Sequence, residues 1–394
     1  MPDQLDSFVS GRPASPGQTH LKKVYRQGVM KTPHEVAIEI FRILPDPRVE
    51  RTKVHSLEVI MFIALCTYLS GGEGFYDMEA YAPARKDWLR KTVGMQSVPS
   101  HDTFNRVFQA ISPEYFGKCL MELSRRLREK ISGDVVAFDG KTHRRTAGTG
   151  KAALHTLNAW SVENRLVLGQ LAVEGKSNEI TAVPKLMDML DLKGCVVTAD
   201  ALNCQKAVAQ KAIEKQADYV LAVKGNHPIM YDEIRRYMDA FASNSPAGFE
   251  SVEKDHGRIE TRFYWQSEDI AWFEDKKHWA GLRSFCMVEA VREHGVRVEK
   301  SRRYYISSLP RAEAKVAHSI RAHWQIENAL HWRLDVVFNE DQSRARARHA
   351  AKNLGTLRAI CLNLIRRIPG KRSMKSKRFQ ASLSDEYLFM ALKI

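Results

Sequence analysis

Cysteine pairs, long apolar runs and acidic charge are what this 394-residue sequence is short of. Its six cysteines (Cys66, Cys119, Cys195, Cys204, Cys286 and Cys361) are scattered, and no two share the C-x₂-C spacing of a zinc site. That distribution excludes a zinc ribbon and a disulfide-stapled scaffold and fits reduced thiols. The longest apolar stretch, Val59 to Leu69, falls well below the roughly 20 residues a bilayer span takes. MPDQLDSFVSGRPASPGQTH lacks the apolar core of a signal peptide, so a cytoplasmic protein without a membrane partner is expected. No internal repeat is evident. Acidic residues number 46 against 61 Lys and Arg, a formal net charge of +15. Such an excess attracts phosphate backbones, although a basic enzyme of another kind would share it.

Hydrophobic residues make up 44% of the chain, enough for two or three cores. Residues 1–30 are polar, rich in Gly, Pro and Ser, and without period, which predicts a flexible tail. From 31 to 128 the patterns are helical (HEVAIEIFRIL, SLEVIMFIALCTYL, DMEAYAPARKDWLRK, SHDTFNRVFQAI) and predict a small all-α domain. Ser100 is placed to cap a helix whose Asp102, Thr103, Asn105 and Arg106 suit either DNA reading or plain solvent exposure, while Phe104, Val107 and Phe108 pack. Residues 129–394 read as an α/β domain. Strands are expected near 134–139, 154–162, 165–174, 195–199 and 218–223, with helices near 178–191 and 203–216. Two hairpin-linked strands followed by parallel βαβ units give a mixed sheet flanked by helices, the order of an RNase H-like fold. A Tyr-, Phe- and Val-rich stretch at about 250–309 predicts a β-rich insertion.

Three acids stand in distinctive settings: Asp139 in VVAFDGKTHRR, Asp200 in CVVTADALN and Glu327 in RAHWQIENALHWRLDV. The first two follow β-branched apolar runs that read as buried strands, so each carboxylate is expected at a strand's C-terminal edge, where open α/β sheets place their chemistry. With a third from a packed helix, they suit hard divalent cations, because Mg²⁺ takes oxygen ligands and keeps waters for a phosphate substrate. His323, Glu327 and His331 recur every four residues on one helix face. A mononuclear zinc site there is the weaker alternative, because it leaves Asp139 and Asp200 without a role. The two histidines otherwise suit DNA contact or orientation of Glu327.

The segments AFDGKTHRRTAG, VTADALNCQKAVAQKAIEKQADYVLAVKGNHP and HWQIENALHWRLDVVFNEDQSRAR resemble the catalytic segments of DDE transposases from bacterial insertion sequences, in the H-repeat-associated (ISAs) branch. The likeness runs from about Ile43 to Arg367. It implies an RNase H-like core in which Asp139, Asp200 and Glu327 hold two Mg²⁺ ions, replaceable by Mn²⁺, with Asp139 bridging. It implies strand cleavage at the element's ends and attack of the freed 3′-OH on target DNA. Implied partners are double-stranded terminal inverted repeats and target DNA, a second copy of the chain during synapsis, and the nucleoid when bound. A nuclease unable to join ends and a catalytically silent DNA-binding protein are the rivals.

Lys141, Arg144, Arg145, Lys224, Asn226, Arg321, His323, Asn328, His331 and Arg333 flank the three acids and are expected on DNA, mostly on its phosphates. Arg344, Arg346 and Arg348 form a further basic cluster. Trp324 and Trp332 are expected to pack in the core rather than stack on an unpaired base. Many relatives carry Tyr, Arg and Lys seven before, four before and seven after the glutamate. This chain has Ile320, His323 and Leu334 there, with Arg321 and Arg333 nearby as substitutes.

Overall fold

The computed structural model describes residues 32–148, 152–173, 178–255, 258–295 and 297–393. The tail expected over residues 1–30 lies outside the described residues. Pro33–Ile394 forms one compact unit.

Six helices come first: α1 (Pro33–Phe41), α2 (Leu57–Leu69), α3 (Phe75–Ala84), α4 (Lys86–Val93), α5 (His101–Ala110) and α6 (Pro113–Leu127). In α2 every residue but Glu58 is buried, as expected of a helix that is apolar all round. Ser100 caps α5 by accepting from the Thr103 N–H, while Phe104, Val107 and Phe108 turn inward.

The sheet follows, with β1 (Val135–Thr142), β2 (His155–Ser161), β3 (Leu166–Val173), α7 (Glu179–Asp188), β4 (Val196–Ala199), α8 (Lys206–Glu214), β5 (Asp218–Val223) and α9 (Pro228–Asn244). Strands β6 (Phe249–Asp255), β7 (Arg258–Ser267), β8 (Ser284–His294) and β9 (Arg297–Ser307) complete it in the order β3-β2-β1-β4-β5-β9-β8-β7-β6. β1 pairs antiparallel with β2 and parallel with β4, which pairs parallel with β5, the RNase H-like arrangement. The β-rich stretch extends this same sheet, because β9 pairs with β5 from Val220↔Ser307 to Val223↔Tyr304.

Helix α10 (Glu313–His323) packs over β1, β4 and β5. It continues through a π-helical turn, Glu327–His331, into α11 (Trp332–Phe338). Its apolar stripe is Ile320, Ile326, Leu330 and Leu334. The chain then forms α12 (Ala350–Arg367), α13 (Met374–Leu383) and α14 (Asp385–Leu392). Helix α12 is buried from Asn353 to Ile365 and packs on α2, α5, α6 and β3, tying the N-terminal helices to the sheet. Its Asn353 Nδ2 donates to the Phe108 and Ile111 carbonyls at the end of α5. Among the described residues no helix is long and apolar enough to cross a membrane.

Candidate active site

Asp139 lies inside β1, three residues before its end, and Asp200 is the first residue after β4. Register brings them together. The parallel β1–β4 pairing ends at Phe138↔Ala199, so the next residue on each strand is an aspartate. β1 runs on through Gly140 to Thr142 only because its other neighbour, β2, still pairs with it. The edge reached by Asp139 is therefore that of the β1–β4 pair, not of the strand.

Side chains alternate between faces along a strand. A Cβ on Gly140 would sit 2.3 Å from Glu179 Oε1 and 2.5 Å from His155 Nε2. Gly140 thus faces α7, and Asp139 faces α10 and the π-helical turn. There, one ligand atom each from Asp139, Glu327 and His331 lies within 4.8 Å of the others. Asp200 stands outside that trio but shares a cavity of about 250 Å³ with Asp139, Glu327, His323 and Lys224. Burial, then the charges of Asp200, Glu179 and Glu327, push the Asp139 carboxyl up to about 7. Among the described residues no Lys or Arg pairs with Asp139, Asp200 or Glu327. The three acids concentrate negative charge that no ion pair neutralises, which fits a divalent cation.

A buried chain of polar groups supports it from the opposite face. Asp200 Oδ1 accepts from the Asn203 backbone N–H at 3.1 Å and from Asn203 Nδ2 at 3.0 Å. Asn203 Nδ2 also reaches Glu179 Oε2 at 3.1 Å. Glu179 Oε1 meets His155 Nε2 at 2.6 Å, and His155 Nδ1 meets Thr142 Oγ1 at 2.8 Å. Sequence reading missed Glu179, which resembles any acid in the first turn of a helix.

Several residues expected on DNA are engaged within the protein. Lys141 is 8% exposed, its ammonium held by Asp335 at 2.5 Å and Glu340 at 2.6 Å, so it is not free for a phosphate. Burial would raise the Glu340 carboxyl, but His143, Lys141 and Arg358 outweigh it and hold it at about 2. Asn226 Nδ2 donates to the Ala201 carbonyl at 2.6 Å, bracing the turn after Asp200. Arg321 bonds both oxygens of Glu253. His323 Nδ1 contacts Thr198 Oγ1 at 3.3 Å, and burial pushes its imidazole down to about 4, against the pull of Asp200. His331 is buried, its Nδ1 3.5 Å from Asp139 Oδ2. The rings of the hypothetical zinc site therefore turn to different strands. Arg144, Arg145, Lys224, Asn328, Arg344, Arg346 and Arg348 are exposed, and Arg333 is partly so.

Trp324 is 46% and Trp332 48% exposed, contrary to the expected core packing, because the Ile and Leu stripe of α10 and α11 fills the interior. Arg303 lies 4.6 Å over the Trp324 ring. Trp324 and Asn328 also border a wide groove of about 980 Å³ lined by Arg165, Arg333, Arg366, Arg367, Lys371 and Arg372, with Glu253 as its one acid. Burial first, and then the neighbouring charges of Arg333 and Arg165, bring the Arg366 guanidinium down to about 9. The run IRRIPGKR carried that signal in the sequence, but its distance from Glu327 did not show where the charge would lie.

Carboxylates at the centre of an RNase H-like sheet define the class of protein. Residues 131–364 match the family described as the transposase DDE domain, and residues 38–123 match the accompanying "DDE_Tnp_1-associated" family. The chain belongs to the DDE transposase family. It is 37% identical to "Putative transposase YncI" of Escherichia coli O157:H7, over 89% of this chain and 93% of that one. It is 35% identical to "H repeat-associated putative transposase YhhI" of Escherichia coli K12, over 90% and 97%. It is 44% identical to an "Uncharacterized protein in dhlA 3'region" of Xanthobacter autotrophicus, over 68% and 92%. Divalent-metal use follows from the family.

Proposed function

We propose that this transposase cuts DNA at the ends of an insertion sequence and joins the freed 3′-OH to target DNA. The observation that carries the proposal is the meeting of Asp139, Asp200 and Glu327 at one cavity, none of them ion-paired to a Lys or Arg among the described residues. Asp139 would bridge two Mg²⁺ ions, with Asp200 on one and Glu327 on the other, and Mn²⁺ substitutes. When bound, such ions supply the charge that steadies attacking and leaving oxygens of a phosphodiester. The chain's own residues do the rest. Lys224 at the cavity is placed to hold a phosphate beside the carboxylates. The adjoining basic groove gives the backbone a path, and backbone contacts position a duplex without reading it. Arg144 and Arg145 extend the exposed basic surface. Half-exposed Trp324 offers an unpaired base a stacking face beside Glu327.

The domain division follows the same reading: a helical domain over 31–128 that contributes DNA recognition through α5, and the catalytic domain from 129 onward. Synapsis of two ends calls for a homodimer.

A gel assay with labelled terminal repeat, Mg²⁺ and a supercoiled target tests the function. Joined products are expected. Cut products alone would make the protein a nuclease, and a mobility shift without cutting would make it a silent DNA-binding protein.

A further inference from the structure

We propose that a ring nitrogen of His331 ligates the cation held between Asp139 and Glu327, so that the two ions of the site differ in kind. One then lies in a mixed nitrogen and oxygen set, and the other, on Asp139 and Asp200, in oxygen alone. The inference rests on the two-ion reading above and names a ligand that reading does not include.

Geometry comes first. Octahedral ligands at about 2.1 Å from an ion stand about 3.0 Å apart when adjacent and about 4.2 Å apart when opposite. Asp139, Glu327 and His331 each offer an atom within 4.8 Å of the other two, and His331 Nδ1 is 3.5 Å from Asp139 Oδ2. Three side chains from a strand and a helical turn already lie near the span of one coordination sphere.

The state of the imidazole is the second observation. His331 is 7% exposed, and its buried Nε2 has no hydrogen-bond partner. The separation of Nδ1 from Asp139 exceeds a hydrogen bond. Polar groups this deep are normally satisfied, yet among the described residues the ring makes no hydrogen bond that would commit it elsewhere, and Nδ1 is the nitrogen turned towards Asp139.

Helix geometry supplies the third. The Trp332 N–H bonds the Glu327 carbonyl five residues back, the bond of a π-helical turn. Such turns are rare and gather at functional sites. Here the turn begins at Glu327 and ends at His331, the two helical members of the trio. His323, four residues before Glu327, contacts Thr198 on β4 instead and stays outside the trio.

A nitrogen donor favours Mn²⁺ and later divalent ions over Mg²⁺ relative to an all-oxygen set. Mn²⁺ should therefore fill this site first. The test is Mn²⁺ titration of the purified full-length protein, followed by electron spin resonance, with pulsed detection of nitrogen hyperfine coupling. Coupling from one imidazole is expected at the first site filled, and it should disappear in His331→Gln while persisting in His323→Gln. Mn²⁺ affinity at that site should fall about 10-fold or more in His331→Gln. If Mn²⁺ binding requires Asp139 and Glu327 yet shows no imidazole coupling, or the coupling survives in His331→Gln, the ligand assignment is wrong and the two-ion reading stands. Loss of the coupling in His323→Gln alone would move it to the other ring and overturn the proposal. Mn²⁺ binding indifferent to Asp139→Asn would overturn both.

Discussion

Replacing Asp139 with Asn should stabilise the metal-free protein while abolishing its activity. The Asp139 carboxyl is pushed up to about 7 from an ordinary 3.8 by burial and by the charges of Asp200, Glu179 and Glu327. A raised carboxylic pKa means the folded protein holds a proton that the unfolded chain has released. The associated stability is full below the unfolded value and is lost as pH rises through the folded one. Three units at 1.36 kcal/mol each set a ceiling of about 4 kcal/mol on the penalty above pH 8. The carboxylate is 24% exposed, so about half that ceiling is a reasonable expectation once solvent relaxation is included. Between about pH 5 and pH 8 the wild type should therefore lose on the order of 1–2 kcal/mol relative to Asp139→Asn. The assay is thermal unfolding of both proteins in chelator across that range, repeated with Mg²⁺. The variant should melt higher in chelator, by a margin that widens with pH, and Mg²⁺ should raise only the wild type. A margin independent of pH, or a variant less stable than wild type at the alkaline end, would refute the charge-crowding argument.

Asp200→Ala and Glu327→Gln should each eliminate strand cleavage while leaving binding to the terminal repeat within a few-fold of wild type, read by cleavage and mobility-shift gels on the same preparations. Lys141→Ala should cost up to about 3 kcal/mol in chemical unfolding, because buried Glu340 loses its hydrogen-bonded ammonium and keeps only His143 and Arg358 near it; a loss below about 1 kcal/mol would mean the ammonium was not paired there. Changing Lys371 and Arg372 together to Gln should lower the log–log salt dependence of DNA binding by ~0.9 for each phosphate no longer neutralised, and an unchanged slope would take DNA out of the basic groove. Ca²⁺ should support binding better than cutting, because its looser coordination does not impose the octahedral geometry of Mg²⁺.

The carboxylates were legible because each aspartate follows a short β-branched run, and such runs announce buried strands from local composition alone. The strands before β6 fell within a few residues of their expected bounds for the same reason. Position within β1 was not legible, since it depends on β2 pairing further along the strand than β4 does. The fate of Lys141 was hidden as well. A lysine two residues after an aspartate looks ready for phosphate, and only tertiary folding brings Asp335 and Glu340 to it from almost 200 positions away. Trp324 and Trp332 misled because aromatic rings favour burial on average, whereas here smaller aliphatic side chains fill the helix–sheet interface. Arg165, Arg333 and Arg366 are likewise remote in sequence, so their crowding exists only once α12 lies beside the π-helical turn.

The burial of α12 against α2 sets an order of events during synthesis. Leu69 and Ala350 are about 280 positions apart, and at about 5–20 residues per second a ribosome takes on the order of 15–55 s to cover them. For that interval α2, apolar on all sides, has its neighbours α1, α3 and α4 but lacks α12 on its remaining side. A gene copy cut short before α12 would release a chain whose α2 keeps α1, α3 and α4 but leaves the side meant for α12 bare, bound for aggregation or proteolysis, so truncated copies should leave little protein to compete with the full-length one.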